Sequence, residues 1–179
     1  MIGPMEAAVI TASGAIIAVL LTQFVAEAYR RFRDGSALAA GLAGELMAYK
    51  DAFPILEAAL KEWSTLQSGH EGLALRPMER PVDLYYKEAV GKIGVLGPDL
   101  VEDIVYVYAN LNGFRIGLEM LTKSFKEMGP VEFRQRASSC YMLLNQAHTR
   151  ASALLPRLDV RARKIFLSPS QKKLRYQKN

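Results

Sequence analysis

IVYVYANLNGFRIGLEMLTKSF, residues 104–125, decides the fold. Its apolar positions Ile104, Val107, Leu111, Phe114, Leu118, Leu121 and Phe125 advance in steps of three and four. That spacing lines one face of an α-helix and continues the seam of a helical bundle. Ile104 to Tyr108 is rich in β-branched and aromatic residues, yet it lies inside the seam. No stretch of the chain alternates with period two between turn signals long enough to read as a strand.

Working outward, Gly97-Pro98-Asp99 stops one helix and starts the next. Glycine suits a helix end, proline fits a first turn, and Asp99, Glu102 and Asp103 favour its positive pole. Gly129-Pro130 repeats the device ahead of a last long helix whose seam is Ala137, Cys140 or Tyr141, Leu144, Ala147, Ala151, Leu154 and Leu158. Pro156 and the basic run after it are expected to close the packed region. Upstream, Asp83 to about Val95 forms a short helix, and residues 67–81, with Ser68, Gly69, Gly72, Pro77 and Pro81, form a loop.

Before that loop, Leu38, Leu42, Leu46, Tyr49, Phe53, Leu56, Leu60 and Trp63 make another heptad seam. Pro54 removes one backbone donor, so a kink is expected near residues 50–53. Asp34-Gly35-Ser36 is expected to interrupt or bend the preceding helix, with Ser36 as N-cap. The fold class that follows is all-α: an antiparallel bundle of three long helices and one short.

Residues 7–25, AAVITASGAIIAVLLTQFV, carry no charge over 19 positions. As a helix this stretch is ~28 Å long, against a bilayer core of ~30 Å. Arg30, Arg31 and Arg33 follow it, and Glu6 is the only charged side chain before it. A cleaved signal peptide would need a basic start and a small-residue cleavage site, and neither is present. A buried helix of a soluble bundle is the remaining rival. The positive-inside rule places the N-terminus outside and the rest of the chain in the cytoplasm. Gly14 and Ala18 offer a small face for helix packing within the span.

The expected partition is therefore a membrane helix with its arginines (1–33), a cytoplasmic bundle (36–158) and a basic tail (159–179). From Arg157 to Asn179 the net charge is +7, and the remaining 156 residues carry −2. Arg161, Arg163, Lys164, Lys172, Lys173 and Arg175, with the juxtamembrane arginines, are the candidate contacts to an anionic lipid surface or an acidic protein face. Regularly interleaved aromatics are missing from the tail, which argues against nucleic acid. One cysteine, Cys140, excludes an internal disulfide framework and fits a reducing compartment.

Catalytic signatures do not emerge. There is no HExxH, CxxC or Glu-xx-His pair for a metal. Ser138-Ser139 lacks the strand-turn-helix setting of a nucleophile elbow, and Gly41-Leu42-Ala43-Gly44 lacks the lysine and the preceding strand of a phosphate loop. Cys140 on a seam reads as a small core residue. No enzyme and no cofactor is expected.

Pro81-Val82, followed by Lys92-Ile93-Gly94-Val95-Leu96-Gly97-Pro98-Asp99-Leu100-Val101-Glu102-Asp103-Ile104-Val105, resembles a segment of small uncharacterised bacterial membrane proteins that pair one N-terminal span with a helical domain. The resemblance covers the span and residues 81–112, and it implies a bacterial inner-membrane setting with no activity to carry over. Three functions are compatible: a membrane-anchored interaction protein acting as subunit, adaptor or scaffold through a protein partner or its own copies; an oligomeric channel-like effector; and a ligand-sensing bundle with a pocket among Trp63, Tyr85, Tyr86 and His148.

Overall fold

The structure is a computed structural model that describes residues 4–67, 72–76 and 83–166, with side chains from residue 15 onward. The order is α1 (Pro4–Lys50), α2 (Ala52–Thr65), α3 (Leu84–Ala89), a 3-10 turn (Val90–Leu96), α4 (Pro98–Ser124), a second 3-10 turn (Phe125–Glu127) and α5 (Pro130–Arg163). Among the described residues there is no strand, and the all-α expectation holds.

The bundle is organised around α5, which packs against α4, α2 and α1. Its buried face is Phe133, Ala137, Cys140, Leu144, Ala147, Ala151, Leu154 and Leu158, the expected seam with Cys140 inside and Tyr141 at the margin. The seam of α4 is likewise buried at Ile104, Val107, Leu111, Phe114, Leu118 and Leu121. Asp103 of α4 meets Arg150 and Arg157 of α5, and Gly113 lies opposite Leu143, so the pair is antiparallel. On the other side, the contacts Ser36–Arg161, Phe53–His148 and Trp63–Phe133 hold one antiparallel register from α1 through α2. The two helices act as one kinked rod along α5. The kink falls at Asp51, three residues before Pro54, where it was expected.

Gly97 shows why the corner before α4 needs glycine. Its φ of 90° lies in the left-handed region, and it closes the 3-10 turn by donating its N–H to the Gly94 carbonyl. Pro98 then opens α4.

One expected boundary is corrected. The chain does not break or bend into a new helix at Asp34-Gly35-Ser36: α1 runs through to Lys50. Ser36 is not an N-cap, since its hydroxyl donates back to the Phe32 carbonyl at 3.1 Å within the helix. Gly35 is buried, and a Cβ there would collide with the Arg161 guanidinium, so this glycine gives room to an approaching side chain rather than ending a helix. Pro156 lies inside α5, which carries the expected seam through Leu158 and continues to Arg163. Leu154 and Leu158, both fully buried, pin the helix on either side of the proline and offset the backbone bond it removes. The expected divisions at 33/36 and 158/159 thus fall inside helices.

Beyond the bundle, α1 projects. Every residue from Ala15 to Glu27 is exposed, including Ile16, Ile17, Leu20, Leu21 and Phe24. Among the described residues no helix is long and apolar enough to cross a membrane. The expected span at 7–25 begins in residues 7–14, whose side chains, with the packing position Gly14, lie outside that description.

Leu111 sits mid-seam with 2% of its surface exposed. Leu111→Ala is expected to lower unfolding free energy by about 2–5 kcal/mol, the range for a fully buried leucine. Chemical denaturation monitored by far-UV circular dichroism checks this, and an unchanged midpoint would contradict the packing described.

Candidate functional site

Two places combine charge with an unusual environment. The first is the point where α1 leaves the bundle, and the end of α5 arrives there. Arg161 of α5 donates from Nη1 to the Ser36 hydroxyl at 2.9 Å, and its guanidinium lies 5.0 Å over the Phe32 ring. Phe166 follows, with its ring 5.3 Å from Phe32 and 5.2 Å, edge-on, from Tyr29. Burial pulls the Arg161 pKa below its ordinary value. Arg161 is therefore half-buried against α1, not a free tail charge. Arg30, Arg31, Arg33, Arg163 and Lys164 are exposed around the same junction. Glu27 pairs with Arg31 at 2.9 Å and Asp159 with Arg163 at 2.8 Å. Lys172, Lys173 and Arg175 lie outside the described residues. Ala18 is exposed on the projecting helix, where the Thr22 hydroxyl donates to its carbonyl at 2.8 Å.

The second place is a carboxylate–tyrosine network between α1, α3 and α4. Glu45 accepts the backbone N–H of Tyr85 at 2.9 Å on one oxygen. Its other oxygen accepts the Tyr86 N–H at 3.1 Å and the Tyr108 hydroxyl at 2.7 Å. A side chain on α1 thereby satisfies the open first turn of α3, a cap delivered from 40 residues away. Asp83 forms a bidentate pair with Arg115, through a 2.9 Å bond from Nη2 and a second from Nη1, and accepts the Tyr49 hydroxyl at 2.9 Å. The Arg115 guanidinium also lies 5.2 Å over the Tyr49 ring, and Tyr86 stacks on Tyr108 with centroids 3.8 Å apart.

Burial first, then the bond to Glu45, pushes the Tyr108 hydroxyl far above the usual tyrosine range. Burial and Asp83 raise Tyr49 and Tyr86 in the same direction. Each carboxylate is thus engaged by donors, and each tyrosine is held protonated. This is the chemistry of a latch that fixes α3, whose six residues could not hold a helix alone.

The residues weighed as a sensing pocket do not gather. Tyr85 donates its hydroxyl to the Ala37 carbonyl at 3.1 Å, Tyr86 stacks on Tyr108, and Trp63 packs toward Phe133. His148 sits 2.9 Å from Glu57 beside the Phe53 ring. Burial pushes the Cys140 thiol up to about 11, which disfavours the reactive thiolate. Among the described residues no three His, Cys, Asp or Glu side chains are placed to share a metal ion.

The sequence reading missed Glu45, Asp83 and Arg115. A signal existed in α4: Tyr108, Arg115 and Thr122, seven residues apart, form a buried polar stripe beside the apolar seam. Glu45 and Asp83 left none, because their partners are set by the turns between helices.

No family model, curated protein or solved structure matches the chain.

Two outcomes follow from the network. Asp83→Asn weakens the partner of a buried guanidinium, and a loss of about 3 kcal/mol is expected, near the lower bound for breaking a buried pair. Denaturant midpoints measure it. An unfolded tyrosine titrates near ~10 while the folded Tyr108 titrates higher, so the native state holds the extra proton above that pH. Its contribution is complete below pH ~10 and declines as pH rises further. The alkaline loss of stability should therefore be shallower in Tyr108→Phe, and parallel pH profiles for the two chains would contradict the assignment.

Proposed function

We propose that the chain is a membrane-tethered, non-catalytic interaction protein in which residues 7–25 span the bilayer and the bundle is presented on the cytoplasmic side as a subunit, adaptor or scaffold. One observation carries this reading: Ala15 to Val25 is apolar apart from Thr22 and Gln23, helical, and exposed over its whole circumference. Seven large side chains there, from Ile16 to Val25, are each more than half exposed. Leaving them in water forfeits on the order of 10 kcal/mol of transfer free energy. A helix that is hydrophobic all round requires an apolar surrounding.

The flanks support the same arrangement. Tyr29 stands at headgroup level, arginines follow on one side only, and Thr22 returns its hydroxyl to the backbone as membrane helices require. The bacterial inner membrane is the setting that the resemblance in residues 81–112 suggests. Protein partners or further copies of the chain are the proposed contacts of the bundle. The described polar clusters support a non-catalytic role, because their carboxylates are committed to arginines, tyrosines and backbone amides.

The full chain expressed in bacteria should stay in the membrane pellet through an alkaline carbonate wash and leave it in detergent. In a Cys140→Ala background, Gly3→Cys should react with an impermeant maleimide added outside, and His70→Cys only after permeabilisation. Recovery in the carbonate supernatant would defeat the span, and the reverse labelling pattern would defeat its orientation. Copurification in mild detergent then identifies the partner, and the mass of the particle reports self-association through the Gly14 and Ala18 face.

A further inference from the structure

The last residues of α5 approach α1 in a definite direction. Arg161 contacts Ser36 and Phe32, and Phe166 contacts Phe32 and then Tyr29. As the chain proceeds it therefore moves back along α1 toward Val25. Tyr29 is four residues past Val25, which places it ~6 Å beyond the hydrocarbon edge of a span ending there, inside the headgroup layer.

We infer that residues 160–166 form a second membrane contact, docking on anionic phospholipid headgroups beside the α1 helix. This rests on the reading of α1 as a span. The surface has the two parts such a contact needs. Ile165 is 73% exposed and Val160 69%, with no packing role in the bundle, while Phe166 is wedged against Tyr29 and Phe32. Arg163 and Lys164 are exposed alongside, and Arg30, Arg31 and Arg33 add charge from α1. Against these stand Glu27, Asp34 and Asp159, so the junction is net positive even before Arg161 is counted. A basic, amphipathic edge held at headgroup depth matches an anionic interface in both charge and polarity.

The contact also has a consequence for geometry. One span alone lets the bundle swivel about the membrane normal and tilt against the surface. A second contact on the neighbouring helix end fixes which face of the bundle looks away from the bilayer.

The full chain, as Cys140→Ala, is reconstituted in vesicles of phosphatidylcholine alone or mixed with phosphatidylglycerol. Ile165→Cys carries an environment-sensitive fluorophore, read against nitroxide quenchers on the lipid headgroup. Ile16→Cys, read against acyl-chain nitroxides, reports the span in parallel. Quenching at 165 should be strong with phosphatidylglycerol, weak without it, and reduced by high salt. Each charge removed in Arg163→Gln and Lys164→Gln should lower the docked-to-undocked ratio about five-fold, which is ~1 kcal/mol per basic residue. These exposed positions leave the fold intact, and Arg161 is avoided because it packs on α1. If 16 is quenched while 165 is not in either lipid, the second contact is wrong and an acidic protein surface becomes the target of these charges. Equal quenching at 165 in both lipids, indifferent to salt, overturns the recognition of anionic headgroups. Absence of quenching at 16 overturns the span itself, and the inference with it.

Discussion

Everything in this fold depends on one helix being narrow enough to be shared. Half of the inward face of α5 is small, with Ala137, Cys140, Ala147 and Ala151 set among Phe133, Leu144, Leu154 and Leu158. Small side chains let neighbouring helices approach, and the leucines then fill the gaps between them. Since α4, α2 and α1 all pack on α5, the register of each is set against the same ruler. This also explains why helix breakers inside the long helices do so little. Pro156 and Gly35 would each weaken an isolated helix by roughly 1–3 kcal/mol, but Leu154 and Leu158 are buried on either side of the proline, and Gly35 is itself buried against Arg161.

The polar network acts on a different scale. The apolar seams specify that helices pack, and Ala89, Ile93 and Leu96 anchor the end of α3 and its 3-10 extension in the core, while the first turn of α3 has no buried apolar residue of its own. Glu45 and Asp83 place that turn through directional bonds, which tolerate small errors poorly. The same groups make the site one-sided in energy. Removing a partner strands a buried charge or donor, whereas the intact network contributes modestly to net stability. Its value lies in uniqueness of the α3 position.

Legibility in the sequence followed the physics of each feature. Seams with a period of 3.5 residues were readable because each helix repeats the same local instruction, and the turn chemistry of Gly97-Pro98 and Gly129-Pro130 is equally local. The helix start at Ser36 was misread because propensity was weighed without the packing that overrides it. The latch was hidden because positions 45 and 83 share no spacing with the heptad pair 108 and 115, and only the turns between helices bring them together. For Arg161 the residue was legible as basic but its setting was not: a glycine 126 positions earlier makes the space its guanidinium occupies.

The meeting of α1, where it leaves the bundle, with the end of α5 gives the domain a mechanical polarity. A force between the projecting part of α1 and the end of α5 would load the Phe32, Ser36 and Arg161 contacts one after another, opening the pair like a zipper at low force. A force between the projecting helix and the opposite end, near Leu66 and Arg134, would act along the α1–α2 rod and set the whole α5 seam in shear, so that many contacts must yield together. A partner that grips the far end therefore pulls on the strong axis, and one that grips the near end pulls on the weak one.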